Sequence, residues 1–241
     1  MSAEPRPLER GSGAAGALSS PPLFAGSKSD ALTPVAAAYG PAQFQAQSGA
    51  SDLQMEDLAQ FRSLLFEWNG RMNLVGPSAE AEFWSRHVLD SAQLLIHQPQ
   101  ALSFADLGAG AGFPGIVLAC LLKGRPGAQV QLIESMAKRC RFLSEVVSQL
   151  DLPATVRQAR AEDLRLKVQV VTARACAPMV RLLGFAEPYL KQRAVGLFLK
   201  GQDIEAELKE AAKSWRFDAS LYPSLSHPQG RVVALQRVSR V

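Results

Sequence analysis

The chain of 241 residues contains few cysteines and few histidines, three of each. The cysteines, Cys120, Cys140 and Cys176, are odd in number and lack the C-x-x-C spacing of redox and zinc motifs. We therefore expect neither a disulfide framework nor a metal site. The thiols are predicted to be buried and free, as in proteins of a reducing compartment.

Long apolar runs are also absent. The longest, residues 115–122, is far below the ~20 residues that a helix needs to cross a bilayer. The first thirty residues include Glu4 and Glu9 and have no apolar segment typical of a signal peptide. A cytoplasmic protein without membrane association is expected, and 47% apolar with 20% charged residues is typical of a globular one.

The N-terminal part of the chain divides into a tail and a helical region. Residues 1–34 are rich in Ala, Gly, Ser and Pro and are predicted to form a disordered tail. Residues 35–100 are predicted to form a helical extension. It comprises a short helix between Val35 and Gln47, an amphipathic helix from Asp52 to near Gly70, and a third from Ala79 to Ile96.

From residue 101 to 241, β-prone runs alternate with helical patterns, which indicates parallel strands joined by crossover helices. The last two runs have no room for a helix between them and must pair antiparallel. This order predicts an α/β fold with a doubly wound, mostly parallel sheet and a C-terminal antiparallel hairpin, the plan of Rossmann-like class I S-adenosylmethionine methyltransferases. The predicted strands are Ser103–Leu107, Val130–Ile133, Thr155–Gln158, Val168–Thr172, Val195–Leu199, Trp215–Leu221 and Arg231–Val238.

A glycine-rich segment follows the first predicted strand. Asp106 ends the strand, Gly108, Gly110 and Gly112 allow a tight turn, and Pro114 suits the first turn of the next helix. The segment matches both the D-x-G-x-G-x-G form of S-adenosylmethionine sites and the G-x-G-x-x-G dinucleotide pattern. Asp106, Pro114 and the terminal hairpin favour S-adenosylmethionine, while an NAD-dependent oxidoreductase stays open.

Two further segments extend the predicted cofactor site. Glu134 ends the second strand, where either cofactor class places a carboxylate that accepts hydrogen bonds from ribose hydroxyls. Ala161 and Glu162 follow the third strand, where loop backbone would border an adenine ring.

These residues resemble the bacterial family of ribosomal RNA small subunit methyltransferase G, also called GidB. The resemblance covers about residues 52–201. It rests on Trp68–Asn69 with Asn73–Leu74, His87 with Asp90–Ser91, the segment 106–115, Lys138–Arg139 with Phe142–Leu143, Ala159–Glu162, Ala173–Ala175 and Lys200–Gly201, all in the family's order.

The resemblance implies S-adenosylmethionine-dependent methylation of guanine N7 in the 530 loop of 16S ribosomal RNA. It also implies cofactor contacts from Gly108, Phe113, Ala161, Glu162 and Arg174. Two positions depart from the family. Gln169 replaces its usual acidic residue in the fourth strand, and Glu134 replaces its usual Asp at the end of the second.

The implied reaction needs no general base, because guanine N7 has a free lone pair and no hydrogen. The sequence agrees, since none of the three histidines is expected on a loop at the C-terminal edge of the sheet. His87 and Asp90 share a helix face, and a hydrogen bond tethering the extension to the glycine loop is expected there. Arg174 and Lys200 are the positioning candidates, Arg174 towards the cofactor and Lys200 towards RNA.

Charge is uneven along the chain. Residues 51–135 contain 5 basic and 9 acidic residues, and residues 136–241 contain 18 basic and 10 acidic. Such an excess favours a phosphate backbone as partner, here 16S ribosomal RNA or the small ribosomal subunit. The RNA-binding candidates are Lys138, Arg139, Arg141 and Lys200, and Arg231, Arg237 and Arg240 are expected to lack nearby acids.

We expect a monomer that acts as an rRNA (guanine-N7)-methyltransferase. A class I methyltransferase with another substrate, an NAD-dependent oxidoreductase and a non-catalytic rRNA-binding module are the alternatives.

Overall fold

The computed structural model describes residues 23–24 and 39–241. The predicted tail, residues 1–34, lies outside these residues except for Leu23 and Phe24, as do positions 35–38. Leu23 and Phe24 are buried in the core, and the Phe24 N–H donates to the Ser48 carbonyl at 2.9 Å. The composition gave no indication that this pair packs.

Two helices open the continuous part of the chain. Helix α1 spans Pro41–Ser48 and helix α2 spans Asp52–Met72. A capping box starts α2, because the Ser51 hydroxyl accepts from the Gln54 N–H while the Gln54 side chain accepts from the Ser51 N–H. The amphipathic helix predicted from Asp52 is confirmed and ends two residues beyond Gly70.

The single helix predicted for residues 79–96 is wrong. The segment consists of a 3₁₀ turn at Pro77–Ala79, a π-helical turn at Phe83–Val88, and the short helices α3, Leu89–Ala92, and α4, Leu94–His97. A regular α-helix would place Phe83 and Val88 about 140° apart around its axis. The wider π turn brings both, together with Leu89, fully into the core.

Among the described residues, seven strands form one sheet in the order β3-β2-β1-β4-β5-β7-β6. The first five are mutually parallel, and β7 pairs antiparallel with both β5 and β6. The predicted fold class is confirmed, with strand ends within about two residues of expectation. The strands are β1 Ser103–Leu107, β2 Gln129–Glu134, β3 Ala154–Gln158, β4 Val170–Arg174, β5 Val195–Lys200, β6 Trp215–Pro223 and β7 Arg231–Arg240.

Helices cover both faces of the sheet. The crossover helices are α5, Gly115–Leu122, α6, Ala137–Gln149, α7, Met179–Leu190, and α8, Ile204–Ala211. One apolar cluster joins α2, α3, α5 and α6 to the sheet, and a second joins α7 and α8 to the opposite face. All eight residues of α5 are buried because it lies between the sheet and the N-terminal helices.

The cysteines differ in environment. Cys120 and Cys140 are buried as expected, whereas Cys176 is exposed, which corrects the prediction of three buried thiols. Its position after β4 explains the exposure, since that loop borders the cleft described below.

No helix within residues 23–24 and 39–241 is long and apolar enough to cross a membrane, and these residues contain no cluster of His, Cys, Asp and Glu arranged to hold a metal.

Substitution of Gly115 tests how tightly α5 packs on the sheet. A Cβ there would lie 2.3 Å from Leu132 Cδ2 and 2.7 Å from Asp106 Oδ2, so Gly115→Ala should lower the free energy of unfolding by roughly 1–3 kcal/mol. Gly184, inside α7, has no neighbour within 4 Å of a Cβ, and Gly184→Ala should raise stability by roughly 0.5–1 kcal/mol. Urea unfolding of both variants measures the contrast, and equal effects would contradict this packing.

Candidate functional site

The turn between β1 and α5 is built on glycines with left-handed backbone. Gly108, Gly110 and Gly112 have φ values of 70°, 53° and 95°, in the region that side chains with a Cβ rarely adopt. At Gly112 a Cβ would also lie 2.7 Å from Ile116. The glycine pattern therefore has a direct conformational cause.

The buried side chain of Asp106 holds this turn in place through hydrogen bonds. Its side chain is fully buried, and its carboxylate accepts from the Gly115 N–H at 2.9 Å and from the Thr172 hydroxyl at 3.2 Å. Burial raises the pKa of this carboxyl to about 7, although the two hydrogen bonds act in the opposite direction. The carboxylate thus joins β1, β4 and α5 and does not line the cleft, where a cofactor contact was predicted.

A cleft of about 130 Å³ lies beside this turn, at the C-terminal ends of β1, β2 and β3. Four of the predicted cofactor residues meet there, namely Gly108, Glu134, Ala161 and Glu162. The exposed Cys176 also borders the cleft, and a Cβ on Gly108 would lie 3.1 Å from its Sγ. Gly110, Gly112 and Phe113 are outside the lining and shape the turn behind it.

Glu134 is held in place by the backbone on both sides. One carboxylate oxygen accepts from the Gly110 N–H at 3.1 Å, and the other accepts from the Met136 N–H at 2.8 Å. Arg139, at the start of α6, is 3.7 Å from the same carboxylate. Although glutamate is longer than the aspartate expected from the resemblance, these contacts hold its side chain against the glycine turn.

Tyr189 supports the other wall of the cleft and was missed from the sequence. Its side chain is fully buried in α7, and its hydroxyl donates to the Ala161 carbonyl at 2.9 Å. Burial raises the pKa of this phenol to about 12. Tyr189 looked like one apolar position of an amphipathic helix, and nothing in the local pattern linked it to a loop 28 residues away.

Arg174 lies at the end of β4, between the glycine turn and the helical extension. Its Nη2 donates to His87 Nδ1 at 2.6 Å, its Nε is 3.6 Å from the Asp90 carboxylate, and its guanidinium is 5.5 Å from the Phe113 ring centre. Its Nη1 is buried and has no hydrogen-bond partner among the described residues. A buried donor that has no protein partner can bind an acceptor group of a ligand.

His87 contacts the glycine loop by stacking instead of by the expected hydrogen bond. Its ring lies 4.8 Å from that of Phe113 with an interplanar angle of 22°. Burial, with Arg174 and Arg86 nearby, lowers the pKa of His87 to about 3. The ring is therefore neutral near pH 7 and accepts the hydrogen bond from Arg174.

A second, larger pocket of about 410 Å³ lies at the ends of β4 and β5. Arg174 and Lys200 line it together with Arg86 and Asp90 of the extension. The connector between β6 and β7, residues 224–230, forms another side and brings His227 into the lining. This corrects the expectation that no histidine lies at the C-terminal edge of the sheet. The spacing of residues along the sequence did not predict the path of this connector.

Lys200 is more enclosed than an RNA-binding role suggests. Its side chain is 11% exposed, and its Nζ is 2.6 Å from the Glu207 carboxylate and donates to the Ala177 carbonyl at 2.9 Å. Glu207 also accepts from the Met179 N–H. Lys200 therefore anchors the loop after β4 from within the pocket wall.

The other basic candidates divide into two groups. Lys138 and Arg141 are exposed on α6, while Arg139 points to Glu134. At the C-terminus, Arg237 pairs with Asp218 and Arg240 with Glu187, so the expectation of arginines without nearby acids is wrong for these two. The pairing of β6 with β7 brings Asp218 to Arg237, and the packing of α7 on the sheet brings Glu187 to Arg240, which local counting cannot anticipate.

Gln169 lies away from both pockets. Its side-chain oxygen accepts from the Leu102 and Ser103 N–H groups at 2.7 and 3.0 Å, at the N-terminal end of β1. The position at which the resemblance led us to expect an acidic residue therefore lies at the opposite edge of the sheet from the cleft.

A mostly parallel sheet with this strand order, a glycine turn held by a buried carboxylate and an acidic residue at the end of β2 define a Rossmann-like class I S-adenosylmethionine methyltransferase. The solved structure of magnesium protoporphyrin IX methyltransferase from Synechocystis PCC 6803 with bound S-adenosylmethionine has the same fold. The TM-score is 0.50 at 15% identity, over 78% of this chain and 99% of that chain.

The family is shown by sequence. The family model for rRNA small subunit methyltransferase G, GidB, matches residues 54–232. A protein named ribosomal RNA small subunit methyltransferase G from Caulobacter vibrioides is 64% identical over 83% of this chain and 93% of its own length. One of the same name from Paramagnetospirillum magneticum is 46% identical over 83% and 97%. The chain belongs to the rRNA small subunit methyltransferase G family, which rules out the dinucleotide-dependent oxidoreductase.

The burial of Asp106 predicts a pH dependence of stability. Its carboxyl has a pKa of about 7 in the folded chain and about 3.9 when unfolded, so the native state holds more protons between these values. Its contribution to the free energy of unfolding therefore falls as the pH rises from about 4 to 7. Asp106→Asn removes this titration.

Urea unfolding at about pH 5 and 7 measures this effect. The stability of Asp106→Asn relative to the unsubstituted chain should be greater at the higher pH. A difference between the two proteins that is independent of pH would show that the buried carboxyl does not titrate in this window.

Proposed function

We propose that the chain transfers the methyl group of S-adenosylmethionine to N7 of a guanine in the 530 loop of 16S ribosomal RNA. Membership of the rRNA small subunit methyltransferase G family supports the substrate class, and the paired pockets at one edge of the sheet support methyl transfer. The observation that carries the proposal is that the end of β4 and the loop after it lie between the two pockets. Cys176 lines the smaller cleft, and Arg174 and Ala175 line the larger pocket.

The smaller cleft suits the adenosyl part of the cofactor. Glu134 is placed to accept hydrogen bonds from the ribose hydroxyls, and Ala161 and Glu162 border the position of the adenine ring. Gly108 leaves room for the ligand against the turn. The unpartnered Nη1 of Arg174 is suited to the carboxylate of the methionyl part.

The bound cofactor supplies a methyl group on a sulfonium. Guanine N7 forms a bond to this methyl carbon as the carbon–sulfur bond breaks, which gives a cationic 7-methylguanine and neutral S-adenosylhomocysteine sulfur. No proton leaves N7, so a general base is unnecessary. Alignment of nucleophile, methyl and sulfur then supplies most of the rate, a contribution of up to ~7–11 kcal/mol.

The side chains around the pockets fit a positioning role. His87 is engaged with Arg174 and Phe113, and its lowered pKa keeps it neutral. Lys200 fixes the loop after β4 through Glu207 and the Ala177 carbonyl. We infer that the chain acts as a monomer in the cytoplasm, on 16S rRNA or on the small ribosomal subunit.

Methyl transfer to RNA tests the proposal. With tritiated S-adenosylmethionine, the chain should label 16S rRNA or small subunits, and mass mapping of nuclease fragments should find 7-methylguanosine within the 530 loop. Glu134→Ala should abolish labelling, because it removes the ribose acceptor and the partner of the Gly110 N–H. Glu210→Ala, an exposed position on α8, is the matched control. Label in protein alone, or in another base, would contradict the proposal.

The exposed basic residues of α6 give a second test. Lys138→Ala with Arg141→Ala should weaken RNA binding and reduce the slope of log affinity against log salt by roughly 1–2, because each phosphate contact releases counterions. Cofactor affinity should not change. Lys167→Ala with Arg193→Ala, at the opposite edge of the sheet, is the control pair. If the slope of log affinity against log salt is unchanged in the α6 variant, the RNA does not bind at Lys138 and Arg141.

A further inference from the structure

The connector between β6 and β7, residues 224–230, is fastened to the helical extension by one buried side chain. Gln93 is 1% exposed. Its Nε2 lies 3.1 Å from the Ser224 hydroxyl oxygen, and its Oε1 accepts from the Leu225 N–H at 2.8 Å. Both ends of the amide are therefore committed to the connector, a segment more than 130 residues away in sequence.

Asp90 completes the attachment on the pocket side. Its Oδ1 accepts from the Ser226 hydroxyl at 2.7 Å and from the Ser224 hydroxyl at 3.1 Å. Gln93 Nε2 is 2.9 Å from the same oxygen, while the other carboxylate oxygen faces Arg174. Asp90 thus faces the connector with one oxygen, which Gln93 also contacts, and faces Arg174 with the other, while His87 holds Arg174 independently of Gln93.

The connector forms a wall of the larger pocket. Ser226, His227, Gln229 and Gly230 line it opposite Arg174 and the loop after β5. At about 410 Å³ the pocket falls within the roughly 300–1,000 Å³ typical of small-ligand sites. It adjoins the loop after β4, whose Cys176 lines the cofactor cleft, so a group bound there can meet a methyl donor.

The chemistry of the pocket suits a guanine nucleotide. Arg86 and Gln229 are donors for a base O6 or a phosphate, and Asp203 is an acceptor for the N1–H and 2-amino groups that guanine has and adenine lacks. Enzymes that react with a nucleobase commonly extrude it from its stack into a pocket of this kind.

We propose that the larger pocket receives the single target guanosine, that the β6–β7 connector is its recognition wall, and that Gln93 is the positioning residue that holds this wall. The inference rests on the proposed methylation of rRNA. Nucleotide recognition is thereby assigned to a segment outside the cofactor-binding half of the sheet. Gln93 holds this segment in place and contacts neither the RNA nor the cofactor.

The test measures methyl transfer to small subunits with Gln93→Met, which keeps side-chain length and removes both hydrogen-bonding ends. The KM for the RNA substrate should rise roughly tenfold or more, whereas the cofactor Kd from calorimetry should stay within about twofold. Gln100→Met, at an exposed glutamine near the end of the same extension, should change neither constant.

A second variant keeps the test valid if Gln93→Met does not fold. His227→Ala with Gln229→Ala alters only side chains of the connector wall and should produce the same rise in KM for RNA with unchanged cofactor affinity. Unchanged KM in folded Gln93→Met and in this double variant would overturn the inference, as would a parallel loss of cofactor binding. If the unsubstituted chain methylates no RNA, the proposed function itself fails, so the two failures are distinguishable.

Discussion

The glycine turn after β1 depends on two carboxylates that hold its backbone. Asp106 accepts the Gly115 N–H beneath the turn, and Glu134 accepts the Gly110 N–H beside it. Backbone with three left-handed residues is unfavourable for most side chains, and these hydrogen bonds fix it in one geometry. Because the cleft, the start of α5 and the end of β4 all meet at this turn, the rest of the site is built around it.

The helical extension contributes to the site as much as to the core. Its apolar side chains pack on α5, while His87, Asp90 and Gln93 reach from the same segment to Arg174 and the β6–β7 connector. The π turn makes this possible, since it changes the helix register between Phe83 and Val88. One short segment thus positions a β4 side chain and a wall of the larger pocket.

Local patterns were sufficient to predict the fold and four of the residues that line the smaller cleft. Alternating β-prone runs and helical stripes identified all seven strands of the described residues. The glycine turn and Glu134 marked the cleft because both lie within one β–α–β unit, β1 to β2. What could not be predicted depends on long-range contacts. The hydroxyl of Tyr189 supports Ala161, Lys200 is enclosed by Glu207, and His227 reaches a pocket through a connector whose course is set by Gln93.

The account depends most on the adenosyl group lying between the glycine turn and Ala161. A crystal structure of the chain with S-adenosylhomocysteine tests this placement directly. We predict ribose hydroxyls on Glu134, the adenine beside Ala161 and the carboxylate of the amino-acid part on Arg174 Nη1. Ligand density outside this cleft, with Arg174 Nη1 still unpartnered, would contradict the account.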